Sequence, residues 1–193
     1  CKMDYELSGE IPSTIGSLTN LNYIKLSFNN LTGEIPSEIY NLVNLESLQF
    51  QYNNLTGTIS PEIKELVYLE YLNLEGNKLT GTIPIEIYEL IYLKELSLNN
   101  NYLTGGIPSQ IGNLIYLEFL SLGDNNITGE IPSEIGNLVF LNNIDFYDCK
   151  FSGVIPPEIG SITNLEHLTL AGNLLTGEIP SEIGNLTNLE WLH

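Results

Sequence analysis

Few side chains in this 193-residue sequence could do chemistry, and their spacing is the first test of what they do. Asp124, Asp145 and Asp148 fall in one stretch, and His167 and His193 are the only histidines. Carboxylates and imidazoles hold metals or move protons, but only at a ligand spacing or within hydrogen-bond reach of one another. These five share no ligand spacing, and the chain has no Gly-rich phosphate loop, nucleophile elbow or metal motif. Catalysis, a metal site and a cofactor are therefore not expected. Cys1 and Cys149 are the only cysteines. Cys149 replaces a regularly recurring asparagine, and no helix terminus or basic partner is evident to ionise it, so it reads as a buried structural thiol.

The chemistry that remains is recognition. Tyr23, Tyr71, Phe119 and Trp191 lie at multiples of 24 residues from one another, interleaved with Ser47, Glu95, Asn143 and His167. Phe28, Tyr52 and Tyr147 recur at two further fixed offsets, beside the acids Asp4, Glu75, Asp124 and Asp148. Aromatic rings among hydrogen-bonding groups are what binding hot spots are made of. The expected ligand-binding residues are therefore Tyr23, Phe28, Tyr52, Tyr71, Glu95, Phe119, Asp124, Asp145, Tyr147, Asp148, His167 and Trp191.

Something must place those residues at equal intervals, and it is a repeat. The unit LEFLSLGDNNITGEIPSEIGNLVF at 117–140 returns every 24 residues, its first leucine falling at Leu21, Leu45, Leu69, Leu93, Leu117, Leu141, Leu165 and Leu189. Such periodicity predicts a solenoid whose core runs from coil to coil. Counted from that leucine, positions 1, 4 and 6 are apolar with polar residues between, as in a short strand whose copies stack into a parallel sheet. The asparagine of position 9 (Asn29, Asn53, Asn77, Asn101, Asn125, Asn173) can donate to and accept from backbone in neighbouring turns. Gly129 permits a bend and Pro132 restrains the chain. Ser133 to Leu138 is too short for an α-helix and suits a 3₁₀ turn with Ile135 and Leu138 buried. Positions 2, 3, 5, 7 and 8 carry no structural demand and are free for function. Two other columns read as structure: Tyr68, Tyr92, Tyr116 and Phe140 at position 24 as a stacking ladder, and the glutamates of position 18, from Glu38 to Glu182, as solvated convex surface.

The pattern LxxLxLxxNxLTGxIPxxIGxLxx resembles the plant-specific class of leucine-rich repeat, found in receptor-kinase ectodomains and polygalacturonase-inhibiting proteins. The resemblance implies an α/β repeat solenoid: a right-handed horseshoe with a concave parallel β-sheet, a short second β-segment at the Thr-Gly positions and 3₁₀ turns on the convex side. It also implies binding of proteins, peptides or small hormones at the concave face. One array over 1–193 is expected, with a partial coil at 1–20, seven full repeats at 21–188 and a partial coil at 189–193, as a fragment lacking its caps.

Charge narrows the partners. With 24 acidic residues against six lysines and no arginine, the formal charge is −18, which opposes nucleic acid and anionic membrane surfaces. No apolar run is long enough for membrane insertion. A protein or peptide ligand, preferably basic, is expected at the concave face. A glycan stacked on Tyr71, Phe119 and Trp191 is the alternative, followed by ice binding through Thr32, Thr56, Thr80, Thr104, Thr128 and Thr176, or a plain spacer. Asn30, Asn54, Asn126 and Asn185 begin N-x-T sequons, which point to an extracellular or cell-surface glycoprotein.

Overall fold

The apolar side chains at positions 1, 4 and 6 have one place to go. In the central unit Leu117, Leu120 and Leu122 are each 0–1% exposed, and their equivalents in neighbouring coils join one continuous core. The computed structural model describes residues 7–193; Cys1 and Asp4 lie outside the described residues. Among those described, the strands Tyr23–Lys25, Ser47–Gln49, Tyr71–Asn73, Glu95–Ser97, Phe119–Ser121, Asn143–Asp145, His167–Thr169 and Trp191–Leu192 form one parallel sheet in chain order. The register is constant: Leu72 pairs with Leu96 and Leu96 with Leu120, so every position stacks on its own copy.

Opposite the sheet, each coil closes through a five-residue 3₁₀ turn, such as Ser133–Asn137, entered from a proline or serine in extended conformation. Ile135 and Leu138 are buried beneath it as the spacing predicts. The second β-segment forms at the Thr-Gly positions, where Asn30–Thr32 pairs with Ser8–Glu10 and Lys150–Ser152 with Thr128–Glu130. Its threonines bind the coils together: the Thr80 hydroxyl donates to Gly57 O at 3.1 Å, and Thr104, Thr128 and Thr176 repeat the bond.

The asparagine ladder satisfies the backbone that leucines cannot. Asn101 Nδ2 donates to Leu74 O in the preceding coil and to Leu98 O in its own, both at 3.0 Å. Its Oδ1 accepts from Leu79 N at 3.0 Å. The amide thus satisfies three buried backbone groups on two coils, while itself only 5% exposed. Cys149 fits the same slot with a weaker set: its Sγ donates to Leu122 O at 3.3 Å, but a thiol accepts poorly. Among the described residues, nothing at Cys149 replaces the bond that Asn125 receives from the Leu103 amide at 2.9 Å.

Position 20 sets how closely the convex turns approach. Where it is glycine, as at Gly136, an added Cβ would sit 2.5 Å from Glu158 O of the next coil. Where it is tyrosine, the ring fills the gap: Tyr40 and Tyr88 are 4% and 1% exposed. Burial pushes the Tyr40 phenol up to about 12, and Tyr88 higher still.

The ladder and the buried phenols can each be tested by unfolding. Asn101→Ala leaves buried backbone groups unpaired and lowers stability by about 2–4 kcal/mol, whereas Cys149→Asn completes the ladder and raises it by about 1 kcal/mol; chemical denaturation reads both. Because the folded-state pKa of Tyr40 lies above the ordinary value near 10, its contribution is complete below pH 10 and is lost as pH climbs through 12. Tyr40→Phe should remove roughly 3 kcal/mol of that alkaline decline, on about 1.4 kcal/mol per pKa unit.

Candidate functional site

The parallel register places position 3 as a single row on the open face of the sheet. Tyr23, Ser47, Tyr71, Glu95, Phe119, Asn143, His167 and Trp191 are consecutive partners along it. Tyr23 and Trp191 at the ends are more than half exposed, while Tyr71, Glu95, Phe119 and His167 are half-buried by their neighbours. Small or polar residues between the rings leave recesses. Phe119, Asp145, Tyr147, His167 and Trp191 line one cleft of about 470 Å³ together with Asn143, Thr169 and His193. Tyr71, Glu95 and Phe119 share a second, of about 310 Å³, with Lys94, Glu118 and Asn142. Tyr23, Phe28, Tyr52, Asp124 and Asp148 line neither cleft.

The carboxylates of this face are held by neutral donors. Glu95 accepts from Asn73 Nδ2 at 2.7 Å and Ser97 Oγ at 2.9 Å. Asp145 accepts from Ser121 Oγ at 3.1 Å and the Tyr147 amide at 3.0 Å. Glu75 accepts from Asn99 Nδ2 at 2.8 Å and from the Tyr52 hydroxyl, which is pushed up to about 12 by that bond. Glu46 accepts from Tyr23 and Asn22, and those bonds hold its carboxyl below the usual range. Lys94 with Glu70, at 2.8 Å, is the one ion pair among the described residues. Neutral donors orient a carboxylate without cancelling its charge, so the face keeps a strong negative potential.

Position 8 is not free, contrary to expectation. Phe28, Tyr52, Asn100, Asp124 and Asp148 all have φ between 48° and 56°, and Gly76 and Gly172 occupy the same left-handed conformation. Asparagine, aspartate and glycine adopt it readily, whereas an aromatic residue there is strained by about 1 kcal/mol or more. Phe28 and Tyr52 bear the strain side by side, their rings stacked at 4.7 Å. Asp124 and Asp148 occupy position 8 for backbone reasons first. Burial, then Asp148 and Asp145, raise the Asp124 carboxyl above its ordinary value. Among the described residues, no three of His, Cys, Asp or Glu are placed to hold a metal, and burial drives the Cys149 thiol up to about 11.

The position-24 column is not the stacking ladder its recurrence suggests. Tyr68, Tyr92, Tyr116 and Phe140 are about half exposed, and of the four only Tyr116 and Phe140 stack, at 6.2 Å. Position 2, counted among the free positions but with none of its residues among the expected ligand-binding ones, borders the face through Glu46, Glu70, Lys94 and Glu118. Their signal was a charged residue at nearly every copy of one offset. Of the sequon asparagines, Asn30 and Asn185 are exposed, whereas Asn54 and Asn126 are half-buried and bonded to Asn30 and Lys150.

Residues 105–193 match the family described as leucine-rich repeat region, and 20–42, 44–66, 68–90 and 92–114 each match a single leucine-rich repeat. No curated protein sequence matches significantly. Among solved structures, the chain is similar to the ectodomain of the Arabidopsis thaliana membrane receptor kinase GASSHO1/SCHENGEN3, in complex with CASPARIAN STRIP INTEGRITY FACTOR 2. That match has 38% identity and a TM-score of 0.92, over 94% of this chain and 22% of that one. It is similar to the Arabidopsis receptor kinase HAESA, in complex with the peptide hormone IDA and the co-receptor SERK1, at 36% identity and TM-score 0.92, over 96% and 31%. It is also similar to a plant ice-binding protein at 31% identity and TM-score 0.84, over 98% and 61%. The chain therefore spans about a fifth to a third of the receptor chains.

The strain at position 8 is set against ring stacking worth about 0.5–1.5 kcal/mol. The two nearly cancel. Replacing both rings, Phe28→Asn with Tyr52→Asn, should leave stability within about 1 kcal/mol of the parent in thermal or chemical unfolding. A loss above about 3 kcal/mol would show that the rings serve the fold.

Proposed function

The chain belongs to the leucine-rich repeat family, and from that premise we propose that it is a non-enzymatic recognition domain that binds a basic protein or peptide segment along the concave face. One observation carries the reading: rings that are exposed at Tyr23 and Trp191 and half-buried at Tyr71 and Phe119 lie among carboxylates that neutral donors orient but do not neutralise. A lysine or arginine side chain entering the cleft between Phe119 and Trp191 would meet Asp145 with its oxygens already placed. The ligand-binding residues we assign are Tyr23, Tyr71, Glu95, Phe119, Asp145, Tyr147, His167 and Trp191, with Phe28, Tyr52, Asp124 and Asp148 at the sheet's rim. The similar receptor ectodomains carry peptide ligands, which supports the peptide class; their extracellular setting supports an extracellular place for this chain. Among the described residues, no helix is long and apolar enough to cross a membrane.

Ice binding is the second reading, favoured by the similarity to a plant ice-binding protein. Against it, the hydroxyls of Thr80, Thr104, Thr128 and Thr176 already donate to glycine carbonyls, and the flanking position changes from Thr58 and Thr82 to Gly106 and Glu130. A thermal-hysteresis measurement decides between them.

Extended peptides rich in lysine or in glutamate, and a panel of neutral oligosaccharides, should be titrated onto the chain at rising ionic strength. Basic peptides should bind, weaken by about tenfold or more across a tenfold rise in salt, and weaken by a similar factor in Phe119→Ala/Trp191→Ala. Salt-independent binding of oligosaccharides alone would instead assign the face to glycans. Expression through a secretory pathway should place glycan on the exposed Asn30 and Asn185, read by mass spectrometry.

A further inference from the structure

A second surface lies outside the concave row. Just before each strand of the middle coils, the aliphatic residues of position 23 from Val43 to Val139 and the rings Tyr68, Tyr92, Tyr116 and Phe140 of position 24 are all 44–55% exposed. The same two positions at the outer coils are Thr-Asn, as at Thr19-Asn20, Thr163-Asn164 and Thr187-Asn188. An asparagine at position 24 serves the fold, since Asn44, Asn164 and Asn188 each donate to a carbonyl of the preceding coil, at 3.1, 2.7 and 2.8 Å. Four consecutive coils have given up that bond for an exposed ring. Packing within the fold does not reward the exchange, since half of each ring faces water. A contiguous exposed apolar stripe of this kind marks a contact surface.

The stripe's border and pitch narrow what covers it. Glu65 and Glu89 precede Val67 and Ile91 by two residues, and Glu46 and Glu70 line the cleft of about 580 Å³ that Tyr68 and Tyr92 also line. The rings themselves repeat at a spacing between the sheet's strand separation of about 4.8 Å and the 6.2 Å between Tyr116 and Phe140 centroids. One turn of α-helix rises about 5.4 Å, within that interval, whereas alternate residues of a strand are about 6.7 Å apart. Tyr116 and Phe140 stack on each other, so the ring faces between them are already engaged, which suits interdigitating aliphatic side chains better than the flat face of a sugar. A second copy of the chain would bring two charges of −18 together. We propose that this edge docks an amphipathic helix of a protein partner, apolar along one face and flanked by lysine or arginine, one helical turn to each coil.

The edge shares its Glu46 and Glu70 border with the concave face but not Phe119 or Trp191, so one experiment separates the two. The probe is a synthetic helix of about 18 residues with leucine along one face and lysine at its flanks, followed by fluorescence anisotropy. The chain should bind it, and the variant Tyr68→Asn/Tyr92→Asn/Tyr116→Asn/Phe140→Asn, which restores the residue of the outer coils, should bind at least about tenfold more weakly while melting no lower than the parent. Phe119→Ala/Trp191→Ala should bind within about twofold of the parent. The proposal falls if the edge variant binds as well as the parent, or if the concave variant loses as much. It also falls if a scrambled peptide of the same composition binds equally, which would mean charge alone, or if sedimentation finds a dimer that the edge variant disperses. Should the fourfold variant unfold, Tyr92→Asn/Glu89→Lys gives the same reading, with a loss of at least about threefold expected and parental affinity overturning the proposal.

Discussion

Everything in this molecule depends on hydrogen bonds that leave one coil and end on the next. A single coil has too little interior to bury its leucines and too many turns to satisfy its own backbone. The position-9 asparagine resolves both at once, because one amide reaches back 27 residues to a carbonyl, accepts from an amide 22 residues back, and bonds within its own turn. Apolar burial then follows from stacking, as each leucine of position 4 meets its own copy above and below. Neither the ladder nor the core could form in one unit, so stability is a property of neighbours.

That constraint explains what could be read from the sequence and what could not. Period and residue type are enough to place Leu117, Leu120, Leu122, Ile135 and Leu138 in the core and Asn125 in the ladder, because any residue the stack needs must recur at a fixed offset. The row of position 3 was legible for the same reason, since parallel register carries Tyr71, Glu95 and Phe119 to adjacent sites. Backbone conformation at position 8 was harder. Asn100, Asp124, Asp148 and the two glycines announce a left-handed residue, but Phe28 and Tyr52 at the same offset hid the signal by being poor examples of it. Position 24 was misread because recurrence alone does not say which way a side chain points; a column of rings fits a buried ladder and an exposed stripe equally well until exposure is known.

Charge acts on a longer scale than packing. The concave carboxylates are fixed by amides and hydroxyls, so their geometry survives changes in salt while their field does not. A partner is thus steered by a potential that ionic strength can weaken and then received by groups that need no rearrangement. Lys94 is the exception, sitting against Glu70 with its ammonium 6.0 Å from the Tyr71 ring centre. It divides the acidic row near its middle, and the end holding Phe119, Asp145 and Trp191 lies beyond it.

A repeat of fixed length also supplies its own controls. Seven full repeats of nearly the same backbone shape carry different residues at one offset, so a departure can be weighed against what the other coils do under the same demands. By that measure two departures run against the interest of the fold: aromatic residues forced into a left-handed conformation at Phe28 and Tyr52, and rings replacing bonded asparagines from Tyr68 to Phe140. Both lie where water or a partner can reach them, and both are confined to a block of coils rather than spread along the solenoid. Sequence chosen for stacking alone would have kept the asparagine at position 24, where Asn44, Asn164 and Asn188 each bond to the preceding coil. Outward-facing residues that bring the array no net stability are the ones whose reason must be sought in contact with another molecule.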